Sequence, residues 1–284
     1  VDDPLRVCDA ADVDLVVIAS PNATHGALTR AALTAGKHVV VDKPFVLAGG
    51  EARELVALAR ERGLVLSVFQ NRRLDGDFLA VKALLANGEL GELLLFESRW
   101  DRFKPSLASG WRYAGGPGSG LLWDLGSHLL DQASQLFGAP ERWTADVAAQ
   151  RARSGADDYF ELTLWYGRLR CILSASLSVA AARPRFAAHG LQGSFTTAGL
   201  DPFEAALRAG GKPGEAAFRA SLAPIQASRT DVSGATVPLA LAAGHWEAFY
   251  PEIAAAITSG VPPSSAAEHV VGVIALIEAA QAMN

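Results

Sequence analysis

LVVIASPNATHGALTRAALTAGKHVVVDKP, residues 15–44, is the stretch on which the fold turns. Residues 15–19 form a short, continuous apolar run stopped by Ser20-Pro21-Asn22. A run without polar alternation suits a strand covered on both faces, and a parallel sheet covers its strands in that way. The alanines and leucines of 24–35 then predict a helix, closed by Gly36, before a second β-branched run at 38–41. The unit repeats once more. After Pro44, the residues Ala52, Leu55, Val56 and Ala59 recur at helical spacing up to Gly63, and 65–69 reads as a third strand. Strand and helix in alternation predict an α/β region built on a parallel sheet.

Farther along, the rhythm changes. Residues 77–86 predict another helix, with Phe78, Val81, Leu84 and Leu85 on its apolar face and Gly88 beyond its end. Strand-like runs at 93–100, 143–149, 159–166, 169–177 and 185–189 then follow with few helices between them. That is the pattern of an antiparallel sheet, with Gly167 at its tightest hairpin. One long helix, at about 120–137, interrupts the strands, and two more, near 245–258 and 266–283, close the chain. Residues 201–234, rich in Gly, Pro and Ala, read as a loop with one short helix. The expected architecture is α/β plus α+β, with a first domain over 1–71 and a second over 72–284, and there is no internal repeat.

At 284 residues and 50% apolar, the chain can bury a large core. Its net charge of -5, with basic and acidic residues interspersed, provides no basic stripe for nucleic acid. Cys8 and Cys171 form no C-x-x-C pair, so neither a disulfide framework nor a cysteine zinc site is indicated. There is no apolar run of membrane-spanning length, and the acidic opening is unlike a signal peptide, which points to the cytoplasm. The first residue is Val1 and the only methionine is Met283, so an upstream segment is expected to be missing.

Two constellations can carry chemistry. Asp42-Lys43-Pro44 stands just past the carboxyl end of the second predicted strand, the edge where open α/β sheets place ligands. Pro44 restrains the backbone of Lys43 and so fixes where its ammonium can reach. The second is Trp123-Asp124-Leu125-Gly126-Ser127-His128 in the long helix. Asp124 and His128, four residues apart, share one helical face and can meet one substrate hydroxyl or each other. The pair would also suit a metal, but no third ligand stands nearby, and no metal is expected.

Taken in order and spacing, Ser20-Pro21-Asn22-Ala23-Thr24-His25, Asp42-Lys43-Pro44 and Asp124-x-x-x-His128 resemble the glucose-fructose oxidoreductase, inositol dehydrogenase and MocA family. The resemblance covers nearly the whole chain. It takes in Gln70-Asn71-Arg72-Arg73, Phe96-Glu97-Ser98, Asp101-Arg102-Phe103 and Trp111-Arg112, and it is strongest toward the NADP-linked scyllo-inositol dehydrogenase group. It implies a partial Rossmann sheet followed by the antiparallel domain, and hydride transfer between NAD(P) and a CH–OH group of a polyol or sugar. By resemblance, Ser20, Pro21, Asn22 and His25 line the cofactor, with Asn22 and His25 as its polar contacts, and Asp42 and Lys43 follow them. Asn71, Trp111, Arg112 and Tyr250 match positions that contact nicotinamide or substrate. Lys43, Asp124 and His128 would be catalytic, with Arg72 and Arg112 adding substrate contacts and Trp111 an apolar ring face. Asp42 replaces the Glu usual in the family, which should leave Lys43 in place. A homo-oligomer, dimer or tetramer, is implied too.

The residue types suit that chemistry. Loss of hydride from a carbinol carbon requires loss of the hydroxyl proton, and a neutral imidazole of pKa about 6.5 is matched to accept it. His128 is the expected base; Lys43 would stabilise the developing alkoxide and help keep His128 neutral, and Asp124 would orient substrate or imidazole.

The glycine-rich phosphate turn and the ribose-reading residue of such a family are not in the sequence. On the order of fifty residues are expected to be absent upstream, with a smaller loss at the end. Gly115, Gly116, Gly118 and Gly120 precede the Asp124 helix and would form a flexible substrate-side loop. NAD and NADP are not distinguished by the residues themselves; the resemblance slightly favours NADP, and activity is expected of the parent protein. The competing readings are an NAD-dependent glycosidase on the same fold, a non-catalytic nucleotide-sensing regulator and, last, a metal-dependent hydrolase.

Overall fold

The computed structural model describes residues 4–106, 110 and 113–283. After a short helix α1 (Leu5–Cys8) come β1 (Leu15–Ile18), α2 (His25–Thr34), β2 (His38–Asp42), α3 (Gly49–Arg62) and β3 (Leu66–Phe69). The three strands form one parallel sheet in the order β1-β2-β3. The β2 sequence shows why it is apolar on both faces. Val39 and Val41 join the main core with Ala32, Leu33, Ala52 and Leu55 of α2 and α3, whereas Val40 points the other way onto Phe249 and Ile253. Those two residues belong to α8 (Phe249–Ser259), which returns from the far end of the chain.

After β3, α4 (Gly76–Ala86) leads into an eight-stranded sheet: β4 (Leu93–Asp101), β5 (Arg142–Ala148), β6 (Tyr159–Tyr166), β7 (Leu169–Ser176), β8 (Phe186–Gly190), β9 (Gly193–Ala198), β10 (Ile225–Thr230) and β11 (Thr236–Leu241). Their order is β11-β10-β9-β8-β4-β7-β6-β5. Every pairing is antiparallel except β4 with β7, which is parallel. The inward-facing positions put Phe96, Trp100, Phe160, Leu162, Leu164, Cys171, Leu173, Phe186 and Phe195 into the core, beneath α5 (Ser127–Phe137). The closing helix α9 (Val271–Ala282) packs on both α3 and α5, so one core runs under both sheets. Where α9 crosses α3, a Cβ on Gly49 would lie 2.9 Å from the Ala275 Cβ, and the Gly49 amide donates to Glu278 at 2.8 Å. Among the described residues, no helix is long and apolar enough to cross a membrane.

Two expectations need correction. Residues 201–234 are not a loop with one short helix: they hold α6 (Phe203–Arg208), α7 (Ala216–Ser221) and β10, and β11 follows them. β10 and β11 lie at one end of the sheet, where little of either strand is buried and where an outermost strand tolerates Pro238. Nor is the helix expected at 120–137 uniform. Its first part, Leu122–Gly126, is a π-helical turn, and α5 begins only at Ser127.

Candidate active site

The carboxyl ends of β1 and β2 open onto a crevice lined by Ala19, Ser20, Asn22, Asp42, Lys43, Pro44, Gly118, Gly120 and Asp124. Five of the expected site residues, Ser20, Asn22, Asp42, Lys43 and Asp124, therefore meet there, although up to 104 positions separate them. Its volume is about 80 Å³, room for the reacting end of a ligand and well short of the 300–1,000 Å³ of a complete small-molecule site. At Gly118 it adjoins a cavity of about 610 Å³ whose lining includes Leu47, Trp123, Asp157 and Glu278.

Lys43 is delivered by the turn after β2. The Asp42 carboxylate accepts the Lys43 amide at 2.8 Å, which shapes that turn, and the Lys43–Pro44 peptide is cis. The Lys43 ammonium crosses to the second sheet's side and donates to the Asp124 backbone carbonyl at 2.7 Å and to the Asp124 carboxylate at 3.0 Å. Asp124 lies within the π-helical turn Leu122–Gly126, an irregularity that is frequent at functional sites. Asp124 thus faces Lys43, and of the two arrangements that the four-residue spacing allowed, the direct hydrogen bond to His128 is not formed.

His128 lies one turn further on and is only 4% exposed. Its ring stacks on Trp100, centroids 5.9 Å apart and planes 25° apart, and its Nδ1 is buried without a hydrogen-bond partner. Burial holds its pKa well below 6.5, and the cations of Lys43, Arg72, Arg185 and Arg102 push it in the same direction. The imidazole is neutral at pH 7. Arg72, Arg102 and Arg185 surround the Trp100 indole at 4.8, 5.5 and 5.1 Å from its centroid.

Arg72, expected among the substrate contacts, is engaged internally. Its guanidinium lies between Trp100 and Trp246, 4.8 Å from each, and bonds to Asp75 and Glu204. Its charge acts on His128 through space, and its packing is against the two indoles. His25, expected to touch the cofactor, is likewise engaged: its Nδ1 is 2.8 Å from the Pro44 carbonyl oxygen and its Nε2 2.9 Å from that of Ser20. Asn22 donates to the Gly118 carbonyl at 3.0 Å, and Ser20 Oγ pairs with Thr24. Pro21 precedes the short helical turn Asn22–Thr24. Asn71 opens another such turn, Asn71–Leu74, directly after β3. Tyr250 stacks on Phe69 at 6.1 Å, where burial and then the Asp42 charge raise its phenol pKa. Trp111 and Arg112 lie outside the described residues.

Two contributors, Trp100 and Asp157, went unnoticed in the sequence, and two glycines expected in a flexible loop are part of the crevice wall. Trp100 reads there as one more inward position of a strand, and nothing marks it as the platform for His128. Gly118 and Gly120 have positive φ; a Cβ on Gly118 would press on Leu47 and Asn22, and one on Gly120 would collide with Asp157, so both are built into the crevice wall. Asp157 holds the start of the π-helical turn, its carboxylate accepting the Leu122 amide at 2.7 Å and its carbonyl the Leu121 amide at 3.0 Å. Burial pushes its carboxyl up to about 6.

Comparison with known proteins places this geometry. Residues 1–70 match the model described as "Oxidoreductase family, NAD-binding Rossmann fold", and residues 78–196 match "GFO/IDH/MocA C-terminal domain". The NADP(+)-dependent scyllo-inositol 2-dehydrogenase of Bacillus subtilis is 38% identical over 271 residues, 94% of this chain and 76% of that protein. The chain belongs to the GFO/IDH/MocA oxidoreductase family. An uncharacterized oxidoreductase of Escherichia coli is 50% identical over 210 residues, which are 74% of this chain. The match spans 61% of that E. coli protein's length. A crystal structure from Klebsiella pneumoniae superposes with a TM-score of 0.90 at 40% identity, covering 99% of this chain and 78% of that one. The family thus accounts for a parallel sheet of the NAD-binding Rossmann kind and for the mainly antiparallel sheet that follows it.

Proposed function

We propose that the protein is an NAD(P)-dependent dehydrogenase that oxidises a secondary hydroxyl of a cyclic polyol or sugar, with His128 as base and Lys43 and Asp124 as its partners. The observation that carries this reading is the meeting of Lys43, from the parallel sheet, with Asp124, one helical turn before a buried and neutral His128. The name of the B. subtilis relative supports the polyol class and NADP.

The fit to the cofactor rests on this structure's own features. The crevice lies at the carboxyl ends of parallel strands, where such sheets receive nucleotides, and Ser20, Asn22, Asp42 and Lys43 would hold the nicotinamide end there. When bound, NAD(P) supplies the hydride acceptor. The chain's own residues do the rest. The Lys43 ammonium hydrogen-bonds the reacting oxygen and stabilises the negative charge that grows on it. His128 accepts the hydroxyl proton, which it can do because it carries none at neutral pH. Asp124 fixes the Lys43 ammonium through its carboxylate and its carbonyl and adds a hydrogen-bond acceptor for a second hydroxyl.

The test is a screen of the full-length protein against scyllo-inositol, other cyclic polyols and aldoses with NADP+ and NAD+. Reduced nicotinamide should accumulate with at least one of them. Release of free sugar from glycosides without net reduction would replace this reading with the glycosidase one.

A further inference from the structure

His25 is 1% exposed, and both of its ring nitrogens face peptide carbonyl oxygens, those of Pro44 at 2.8 Å and Ser20 at 2.9 Å. A carbonyl oxygen only accepts, so each contact calls for an N–H on the ring. Neutral imidazole has one N–H and one lone pair, and in either tautomer the lone pair would face an oxygen at hydrogen-bond distance. Only imidazolium satisfies both contacts.

The two carbonyls belong to the two loops that shape the crevice. The β1–β2 ladder ends at the pair Ile18–Val41, and beyond it the chains run on separately as Ser20-Pro21 and Lys43-Pro44. His25 ties them where the ladder stops. We propose that His25 is an imidazolium clamp, a positioning residue that fixes Lys43 against the Ser20 loop by donating one N–H to each.

The local charges bear on this assignment from both sides. His25 opens α2, and the positive end of a helix works against a cation there. The Glu51 carboxylate of α3 offsets it: a Cβ added to Gly26, the next residue, would collide with that carboxylate. Charge-assisted N–H donors also make stronger bonds than neutral ones, which suits a tie between two loop segments.

The charge on the clamp can be tested without reference to the enzymatic reading. In a long-range 15N–1H spectrum of the uniformly 15N-labelled full-length protein at neutral pH, the His25 signals are those lost in His25→Gln. Both ring nitrogens should resonate as protonated; one lone-pair nitrogen overturns the clamp. The kinetic arm rests on the proposed dehydrogenase activity. His25→Gln, which cannot donate to both carbonyls, should lower kcat on the order of 10- to 100-fold and raise the NAD(P) KM in its folded fraction, as expected for a misplaced Lys43. A variant that loses thermal stability yet keeps wild-type kcat and KM overturns the positioning role. Should wild type show no dehydrogenase activity, the functional reading fails while the nitrogen signals still decide the clamp, and they do so even if His25→Gln does not fold, since imidazole resonances can be assigned through the backbone.

Discussion

The two walls of the crevice are built in opposite ways. On the parallel-sheet side, Asp42 ends β2 and Ser20, Asn22 and Lys43 lie just beyond the strand ends, tied by hydrogen bonds to backbone atoms. On the other side, His128 projects from a helix whose neighbours are packed solid: Trp100 against its ring, and Arg72 and Arg185 against the indole. A loop can be re-aimed by losing one hydrogen bond, whereas a residue on a buried helix moves only if the core does. The proposed chemistry thus couples an adjustable cation to a fixed base.

This contrast can be broken or sharpened by experiment. The largest expected effect is on the fixed side: His128→Asn should reduce kcat of the full-length enzyme by about 10²–10⁴-fold, the usual worth of a general base. Retention of most activity in steady-state assays would remove His128 from that role. Lys43→Met should cost about 10²–10³ in kcat while changing the NAD(P)H Kd, by fluorescence titration, far less. Equal losses in both would make Lys43 a cofactor-holding residue. The same variant also tests the coupling across the crevice. Burial and neighbouring cations hold the His128 pKa well below 6.5, so kcat/KM should stay level from pH 7 down past 6.5 before its acid limb begins. Deleting the Lys43 charge removes one repulsion, and the limb should move to higher pH.

Stability probes the same contrast at smaller scale. Arg73 and Asp131, buried beneath α5, pair through Arg73 Nε at 2.8 Å. Asp131→Ala should cost about 3–5 kcal/mol in urea unfolding, because it strands a buried guanidinium. Asp157 titrates near 6 when folded against 3.8 ordinarily. The folded state therefore holds its proton more tightly, and this group's contribution to stability is full below pH 3.8 and falls as pH rises to 6. The fall amounts to about 3 kcal/mol. Asp157→Asn should flatten that part of the stability–pH curve; an unchanged slope would mean that Asp157 does not cause it. At the small end, the exposed Arg30–Glu54 pair of α2 and α3, 2.7 Å apart, should contribute under about 1 kcal/mol.

How much of this was legible in the sequence follows from what each element depends on. The parallel strands were readable because Val39, Val40 and Val41 must be apolar on both faces, and that leaves an uninterrupted run. β4 to β8 were readable as strand-like runs that succeed one another with few helices between them. β10 and β11 were not: at the sheet's end little of either strand is buried, and Gly, Pro and Ala in the preceding stretch imitate a loop. Lys43 and Asp124 were found as separate motifs, and their meeting follows from tertiary structure alone. The π-helical turn left no trace in residue spacing, which reads the same for either helix. Arg72 and His25 were expected among ligand contacts by resemblance; residue identity does not reveal the hydrogen bonds they make within the fold, Arg72 to Asp75 and Glu204 and His25 to two peptide carbonyls.

The single parallel pairing within the eight-stranded sheet bears on how the chain reaches its fold. β5, β6 and β7 pair in sequence, and so do β8 through β11. These two meanders touch only through β4, which precedes them all and aligns Leu95 with Arg170 on one side and with His189 on the other. Each meander can zip up from its own turns, but β4 must close loops of more than seventy residues to join them. Its insertion is the step of highest contact order in the sheet, and until it happens each meander keeps an unpaired inner edge open to wrong partners.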